Sequence, residues 1–178
     1  MFLLSQSAKI REAWQFFKRE CVTLKAENGE IINSFTRLLN YIYKNMAQTI
    51  NQRIDALRAL LKREGIDAFI IPSTDPHLSE YPADRWKSRE WISGFTGSAG
   101  TIVVTADKAG LWTDSRYFLQ AASQLEGSGI ELYKLALPET PSITEFLLHE
   151  LHTGQAVGLD GQTYSAAEAS ALANKLSR

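Results

Sequence analysis

Ser98, within the glycine-rich segment GFTGSAG (94–100), is the first candidate nucleophile in the sequence. A nucleophile elbow requires glycine two positions before and two positions after its serine, because the backbone makes a strained turn there. The position two residues before Ser98 is Thr96, so the pattern fails. The sequence also lacks the Gly-Lys-Ser/Thr and Gly-x-Gly-x-x-Gly patterns of phosphate and dinucleotide binding. We therefore interpret these glycines as turn residues.

Histidines and carboxylates come together at two places. The segment HELH (149–152) has histidines three positions apart, whereas a zincin helix requires a spacing of four. The segment STDPHLSEY (73–81) places His77 near Asp75 and Glu80, but nothing fixes a fourth ligand for a cation. Turn-capping roles are favoured for this second group. The sequence thus predicts no metal site and no catalytic residue.

Arg116 stands at the end of a predicted strand and in the first turn of a predicted helix. A cation at a helix N-terminus opposes the helix dipole, so its position needs a reason. One reason is pairing with Asp114, two residues earlier. The other is a partner that Arg116 contacts, such as a carboxylate or the terminus of a bound peptide. The residues alone leave both alternatives open.

Aromatic and basic side chains alternate over the middle of the chain. They are Trp86, Trp91, Phe95 and Trp112, interleaved with Arg85, Lys87 and Arg89. A platform for single-stranded nucleic acid would combine such residues. Residues 46–178 carry twelve Lys or Arg against sixteen Asp or Glu, which argues against a nucleic-acid partner. A packed aromatic cluster, or an aromatic surface that faces a partner domain or subunit, is favoured.

The composition is that of an ordinary globular protein, with 44% hydrophobic residues and a net charge of −1. Cys21 is the only cysteine, so no internal disulfide can form. No apolar stretch approaches the roughly 20 residues that span a bilayer, and the opening MFLLSQSAKIR does not have the pattern of a signal peptide. We expect a cytoplasmic protein with no membrane partner.

Helical and strand patterns alternate after residue 46 and predict an α/β fold with a mixed sheet flanked by helices. The predicted helices cover 46–64, 116–127, 141–151 and 165–178, and the predicted strands cover 68–71, 101–105, 110–114, 130–136 and 156–161. The two strands on either side of 106–108 form a hairpin. Because the last helical pattern reaches the final residue without a stop signal, we expect the natural chain to continue.

Residues 1–45 differ in composition from residues 46–178. They carry seven Lys or Arg against four Asp or Glu, and they contain no Asp. The hypothesis that follows is an over-called extension, with translation beginning at Met46. The alternative is a helical arm, because Ile31, Phe35 and Leu38 share one helical face. In either case the domain proper covers 46–178.

Three segments together resemble the N-terminal domain of cytosolic-type aminopeptidase P, in the creatinase/prolidase superfamily. They are IIPSTDPHLSEY (70–81), SGFTGSAGTIVVT (93–105) and LWTDSRYFLQAASQL (111–125). The resemblance covers residues 47–178 and implies the creatinase/prolidase N-terminal fold, which is similar to that of ribonuclease H. It also implies that Arg116 contacts the peptide substrate and that His77 lies near the same cleft.

Enzymes of that family remove the N-terminal residue of peptides whose second residue is proline. The resemblance implies two divalent metals, manganese, in a C-terminal catalytic domain, and no cofactor in this chain. It further implies a homodimer in which this domain adjoins its own catalytic domain and a proline-containing peptide. We expect the 178-residue chain alone to be inactive. Two alternatives remain open: a stand-alone interaction or dimerisation module, and the N-terminal domain of a prolidase- or creatinase-type hydrolase.

Overall fold

The computed structural model describes residues 21–25 and 49–177. The helical arm predicted over 31–42 and the start predicted at Met46 lie outside these residues, so both stay predictions. The strands are β1 (Cys21–Lys25), β2 (Ala68–Ile71), β3 (Thr101–Thr105), β4 (Ala109–Thr113), β5 (Glu131–Lys134) and β6 (Ala156–Asp160). The α-helices are α1 (Ile50–Glu64), α2 (Ser88–Ser93), α3 (Phe118–Gln124), α4 (Ile143–Glu150) and α5 (Ala166–Leu176).

The six described strands form one mixed sheet in the order β1-β6-β2-β3-β4-β5. The pairs β2–β6 and β4–β5 are parallel, and the other three pairs are antiparallel. The predicted mixed α/β fold is therefore confirmed, and β3 and β4 form the predicted hairpin. Strand β1 pairs antiparallel with β6 at the edge of the sheet, although neither interpretation of residues 1–45 includes a strand there.

Local sequence signals fix the ends of the longer helices. Thr49 and Ser142 begin α1 and α4 with capping boxes, in which the cap side chain and the side chain three residues later each accept a backbone N–H. Gly65 ends α1 with a φ of 69°, a left-handed conformation that glycine adopts without steric cost. These local signals place α1 and α4 within the helices predicted over 46–64 and 141–151.

The predicted helix over 116–127 differs from the observed structure. The Asp114 side chain accepts a hydrogen bond from the Arg116 backbone N–H and begins a 3₁₀ turn, Ser115–Tyr117. Tyr117 has a ψ of 2°, outside the α-helical range, so regular α-helix covers only Phe118–Gln124. Arg116 therefore lies in a tight turn ahead of α3 and not in the first turn of the helix.

Helices cover both faces of the sheet, and strands β2, β3, β4 and β6 are almost entirely buried, whereas β5 is partly exposed. Along β2, Phe69 and Ile71 join a cluster beneath α1, α2 and α3, whereas Ala68 and Ile70 join a second cluster beneath α4 and α5. This alternation follows from the two-residue period of a strand. None of the described helices is long and apolar enough to cross a bilayer.

The aromatic residues do not form the surface that the sequence suggested. Trp86, Phe95 and Trp112 are 4%, 0% and 1% exposed, so the expectation of an aromatic face towards a partner is wrong for them. Phe95 lies in the first apolar cluster and Trp112 in the second, on opposite faces of the sheet. Trp112 stacks on Tyr133 with ring centroids 4.1 Å apart. Burial of apolar ring surface explains these residues, but they do not form the single packed cluster that the sequence suggested.

Candidate functional site

Three loops meet at one end of the sheet, which we call the carboxyl edge. It consists of the carboxyl ends of β2 and β4, with residues 72–81 and 114–117, and of the glycine-rich loop 94–100 that leads into β3. The loops share this end because β2 and β4 both run antiparallel to the β3 strand between them. Neighbouring strands are about 4.8 Å apart, so the ends of β2 and β4 are roughly 10 Å apart.

Arg116 is held at the carboxyl edge by Asp114. Its Nε donates to Asp114 Oδ1 at 2.9 Å and its Nη2 donates to Oδ2 at 2.8 Å, a bidentate pair of fixed orientation. The Arg116 hydrogen bonds hold the pKa of Asp114 below its usual value, so the carboxylate stays ionised. The Arg116 side chain nevertheless remains 66% exposed. The pairing alternative is thus observed, and it leaves the guanidinium accessible to a ligand.

Tyr117 and Ser98 form a hydroxyl pair beside Arg116. The two side-chain oxygens are 2.7 Å apart, and the Arg116 guanidinium carbon lies 5.2 Å from the centre of the Tyr117 ring. The ring packs edge-to-face on the buried Phe95, at a centroid distance of 5.8 Å. A β-carbon at Gly97 would lie 2.3 Å from Phe95 and 2.7 Å from Tyr117, so the loop needs glycine there to pass these rings.

Arg89, a buried residue on α2, holds the glycine-rich loop in place through hydrogen bonds to its carbonyl groups. It is 5% exposed and donates from Nη1 to the Phe95 carbonyl, from Nη2 to the Gly97 carbonyl and from Nε to Ser73 Oγ. Ser73 in turn donates to the Gly100 carbonyl. One guanidinium therefore ties the loop at both ends to the residue that follows Pro72. Burial lowers the pKa of Arg89, and arginine side chains stay protonated in proteins.

His77 lies on the loop after β2, with an exposed side chain. Its backbone N–H donates to Asp75 Oδ1 at 2.9 Å, and the Ser79 backbone N–H donates to the same oxygen. Asp75 is only 5% exposed, and these hydrogen bonds hold its pKa below the usual value. Asp75 is thus an Asx-turn residue, as the capping interpretation predicted, and it presents His77 to solvent.

The two predicted substrate-binding residues share the carboxyl edge but do not touch. His77 follows β2 and Arg116 follows β4, with β3 between them, and in the described part of the chain no hydrogen bond or ion pair joins them. Over residues 21–25 and 49–177, no group of three or more His, Cys, Asp or Glu side chains could hold a metal ion. In HELH (149–152), His149 and Lys108 both contact the Glu150 carboxylate, at 2.9 Å and 2.7 Å.

Sequence reasoning missed the roles of Arg89, Ser73 and Tyr117. The sequence pattern places Arg89 in the same aromatic–basic alternation as Arg85 and Lys87, because nothing local separates a buried arginine from its neighbours. One available signal is that Arg89 precedes a loop with several carbonyls to satisfy, and arginine offers five N–H donors in a fixed plane. The hydroxyl pair joins residues 19 positions apart, and only the tertiary fold brings them together.

Comparison with known proteins agrees with this architecture. The family model of the Creatinase/Prolidase N-terminal domain matches residues 53–178. The chain is 47% identical over 125 residues to Aminopeptidase P2 of Arabidopsis thaliana, a match that covers 69% of this chain and 18% of that protein. This match agrees with the resemblance of segments 70–81, 93–105 and 111–125 to aminopeptidase P.

Solved structures give the same result. The crystal structure of X-prolyl aminopeptidase from Caenorhabditis elegans, described as a cytosolic enzyme with a di-nuclear active site, matches with a TM-score of 0.66 and 34% identity. That match covers 70% of this chain and 22% of the nematode protein. A creatinase/prolidase-like N-terminal domain from Corynebacterium diphtheriae matches with a TM-score of 0.51 and 27% identity, over 71% of this chain and 87% of that one.

The chain spans about a fifth of the length of the curated relatives it matches, which are named aminopeptidase P or Xaa-Pro aminopeptidase P. By contrast, the match covers 87% of the N-terminal domain from Corynebacterium diphtheriae, which was solved as a separate domain. The matched region includes the mixed sheet from β2 to β6 and all three loops of the carboxyl edge. The chain belongs to the creatinase/prolidase N-terminal domain family.

Proposed function

We propose that this chain is the non-catalytic N-terminal domain of a Xaa-Pro aminopeptidase and that its carboxyl edge lines part of the substrate cleft. The observation that carries the proposal is Arg116, which Asp114 orients while most of its side chain stays exposed. A bidentate pair loses little further side-chain entropy on binding, because the guanidinium is already ordered. Arg116 thus offers hydrogen-bond donors to a peptide, and His77 is a second contact on the neighbouring loop.

The chemistry of peptide cleavage falls outside the described residues. We propose that a C-terminal catalytic domain supplies two divalent metals, manganese, and that these activate the attacking water. The di-nuclear active site described for the nematode enzyme supports this arrangement. The residues described here would contribute binding and orientation only, so the chain alone is expected to be inactive and to hold no metal pair. A cytoplasmic homodimer belongs to the same proposal.

Kinetics of a fusion protein test the role of Arg116. Residues 49–178 would replace the matching N-terminal segment of the nematode enzyme, and Xaa-Pro-containing peptides would serve as substrates. We expect Arg116→Ala to lower kcat/KM roughly tenfold or more, because hydrogen bonds to a charged group contribute about 1.5–3 kcal/mol. His77→Ala should have a smaller effect in the same direction.

Arg63→Ala is the matched control for this test. Arg63 is also an exposed arginine paired with a carboxylate, Glu64, but it lies at the C-terminal end of α1. Its replacement should leave kcat/KM within about twofold, since exposed pairs contribute little. Equal kinetics for the Arg116 and Arg63 variants would contradict a substrate-facing carboxyl edge.

A further inference from the structure

The hydroxyl pair at the carboxyl edge has a fixed geometry. Ser98 Oγ and the Tyr117 hydroxyl oxygen are 2.7 Å apart on the molecular surface. The Tyr117 ring cannot turn away freely, because one side meets Phe95, which is fully buried, and the Arg116 guanidinium lies over the ring. The loop that carries Ser98 is itself tied down through Arg89. This is a preorganised polar site, and the protein core makes no use of it.

The proton arrangement leaves a donor available for a ligand. Ser98 Oγ and the Tyr117 hydroxyl share one hydrogen bond, in which either group can be the donor. Two hydroxyls carry two protons, and the hydrogen bond between them uses one. Whichever group donates, the other keeps its O–H, and in the described part of the chain no further acceptor is assigned to it. The hydroxyl pair therefore has one O–H that can donate to an acceptor outside the domain. The contact with Ser98 also lowers the pKa of Tyr117.

The charge at this site indicates what kind of acceptor fits. Asp114 neutralises Arg116 through two hydrogen bonds, so the pair carries no net formal charge. A free anion placed there would meet the Asp114 carboxylate as well as the guanidinium and would gain little. An uncharged carbonyl oxygen avoids that repulsion and still accepts a hydrogen bond from the hydroxyl pair.

We propose that the Ser98–Tyr117 hydroxyl pair donates a hydrogen bond to a main-chain carbonyl oxygen of the peptide substrate. This inference rests on the proposed function and adds a second contact beside Arg116. It implies that the site recognises the backbone of the peptide, independent of side-chain identity and of a free C-terminal carboxylate.

The test compares Tyr117→Phe and Tyr133→Phe in the fusion protein described above. Tyr133 is the matched control, because its hydroxyl also makes a side-chain hydrogen bond, to Glu131 at 2.8 Å, but it lies on β5, outside the three loops of the carboxyl edge. We expect Tyr117→Phe to raise KM roughly two- to tenfold with kcat nearly unchanged, the range for loss of one neutral hydrogen bond. Ala-Pro-Ala and its C-terminal amide should show the same factor. Ser98→Ala should also raise KM, and the larger of the two effects identifies the donor.

Each outcome decides between the two proposals. If Arg116→Ala impairs the fusion while Tyr117→Phe and Ser98→Ala both behave like Tyr133→Phe, the carbonyl contact is refuted and the proposed function stands. If the effect of Tyr117→Phe is confined to the free-acid peptide, the ligand is a carboxylate and the inference is wrong. A folded but inactive unmodified fusion refutes the proposed function and this inference with it. NMR titration of Tyr117 in the 178-residue chain checks the geometry separately, since Ser98→Ala should raise its pKa.

Discussion

Arg89→Lys is the perturbation that tests most sharply how the carboxyl edge is built. Arginine reaches Ser73 and the carbonyls of Phe95 and Gly97 with three different nitrogens. Lysine keeps the charge and the alkyl stem, but its donors all lie on one nitrogen. A single ammonium cannot occupy the positions of all three guanidinium nitrogens, so we expect at least two of the hydrogen bonds to be lost.

The size of the effect follows from these contacts. Each hydrogen bond to a charged group contributes about 1.5–3 kcal/mol, so the loss of two lowers the free energy of unfolding by about 3 kcal/mol or more. The total free energy of unfolding of a small domain is roughly 5–15 kcal/mol, so this loss is a large fraction of it. With a urea m-value of about 2 kcal/mol/M, the unfolding midpoint should fall by roughly 1.5 M.

Urea unfolding of the 178-residue chain measures the stability, and hydrogen exchange of the amides in 94–100 measures the loop. Arg63→Lys is the control, because Arg63 is 53% exposed and pairs only at the surface. Its midpoint should match that of the unaltered chain. If Arg89→Lys unfolds within about 0.5 kcal/mol of the unaltered chain and its loop amides exchange at the original rate, Arg89 does not hold the loop.

Two further predictions concern the core and the Asp114–Arg116 pair. Leu147→Ala should lower the free energy of unfolding by about 2–5 kcal/mol, because Leu147 is 0% exposed. Leu148→Ala is the control and should lower it by under about 1 kcal/mol, because Leu148 is 43% exposed. Urea unfolding compares the two variants, and equal losses would contradict the assigned packing. Because Arg116 lowers the pKa of Asp114 in the folded chain, their pairing stabilises the fold above the unfolded pKa of Asp114 and this contribution is lost as the pH falls through the folded one. Arg116→Ala should therefore raise the pKa of Asp114 in an NMR titration; an unchanged value would show that the pair does not form in solution.

Much of the fold could be predicted from local patterns, and the particular residues show why. The run Ala68–Ile71 is short and apolar and is followed by Pro72, and it forms the buried strand β2. Ser142 and Glu145 carry the capping-box pattern within three residues, and the box forms. These signals succeed because the interactions that they describe span at most one turn of chain.

The site could be predicted only in part, because its contacts are long-range. Position along the chain identifies Arg116, because its pairing with Asp114 is local, but the packing of Tyr117 on Phe95 beside it joins distant segments. The buried state of Arg89 and the Ser98–Tyr117 pair depend on packing between distant segments, which no periodicity reports. Aromatic residues close in sequence, such as Phe95 and Trp112, were expected to cluster but lie on opposite faces of the sheet.

Peptide cleavage by two purified proteins tests the central proposal most directly. The 178-residue chain and the fusion of residues 49–178 with the nematode catalytic region would be assayed with manganese on peptides that carry proline or alanine at the second position. We predict no cleavage by the chain alone, and release of the N-terminal residue by the fusion from the proline peptide only. Cleavage by the chain alone, or a folded fusion that cleaves neither peptide, would contradict the account.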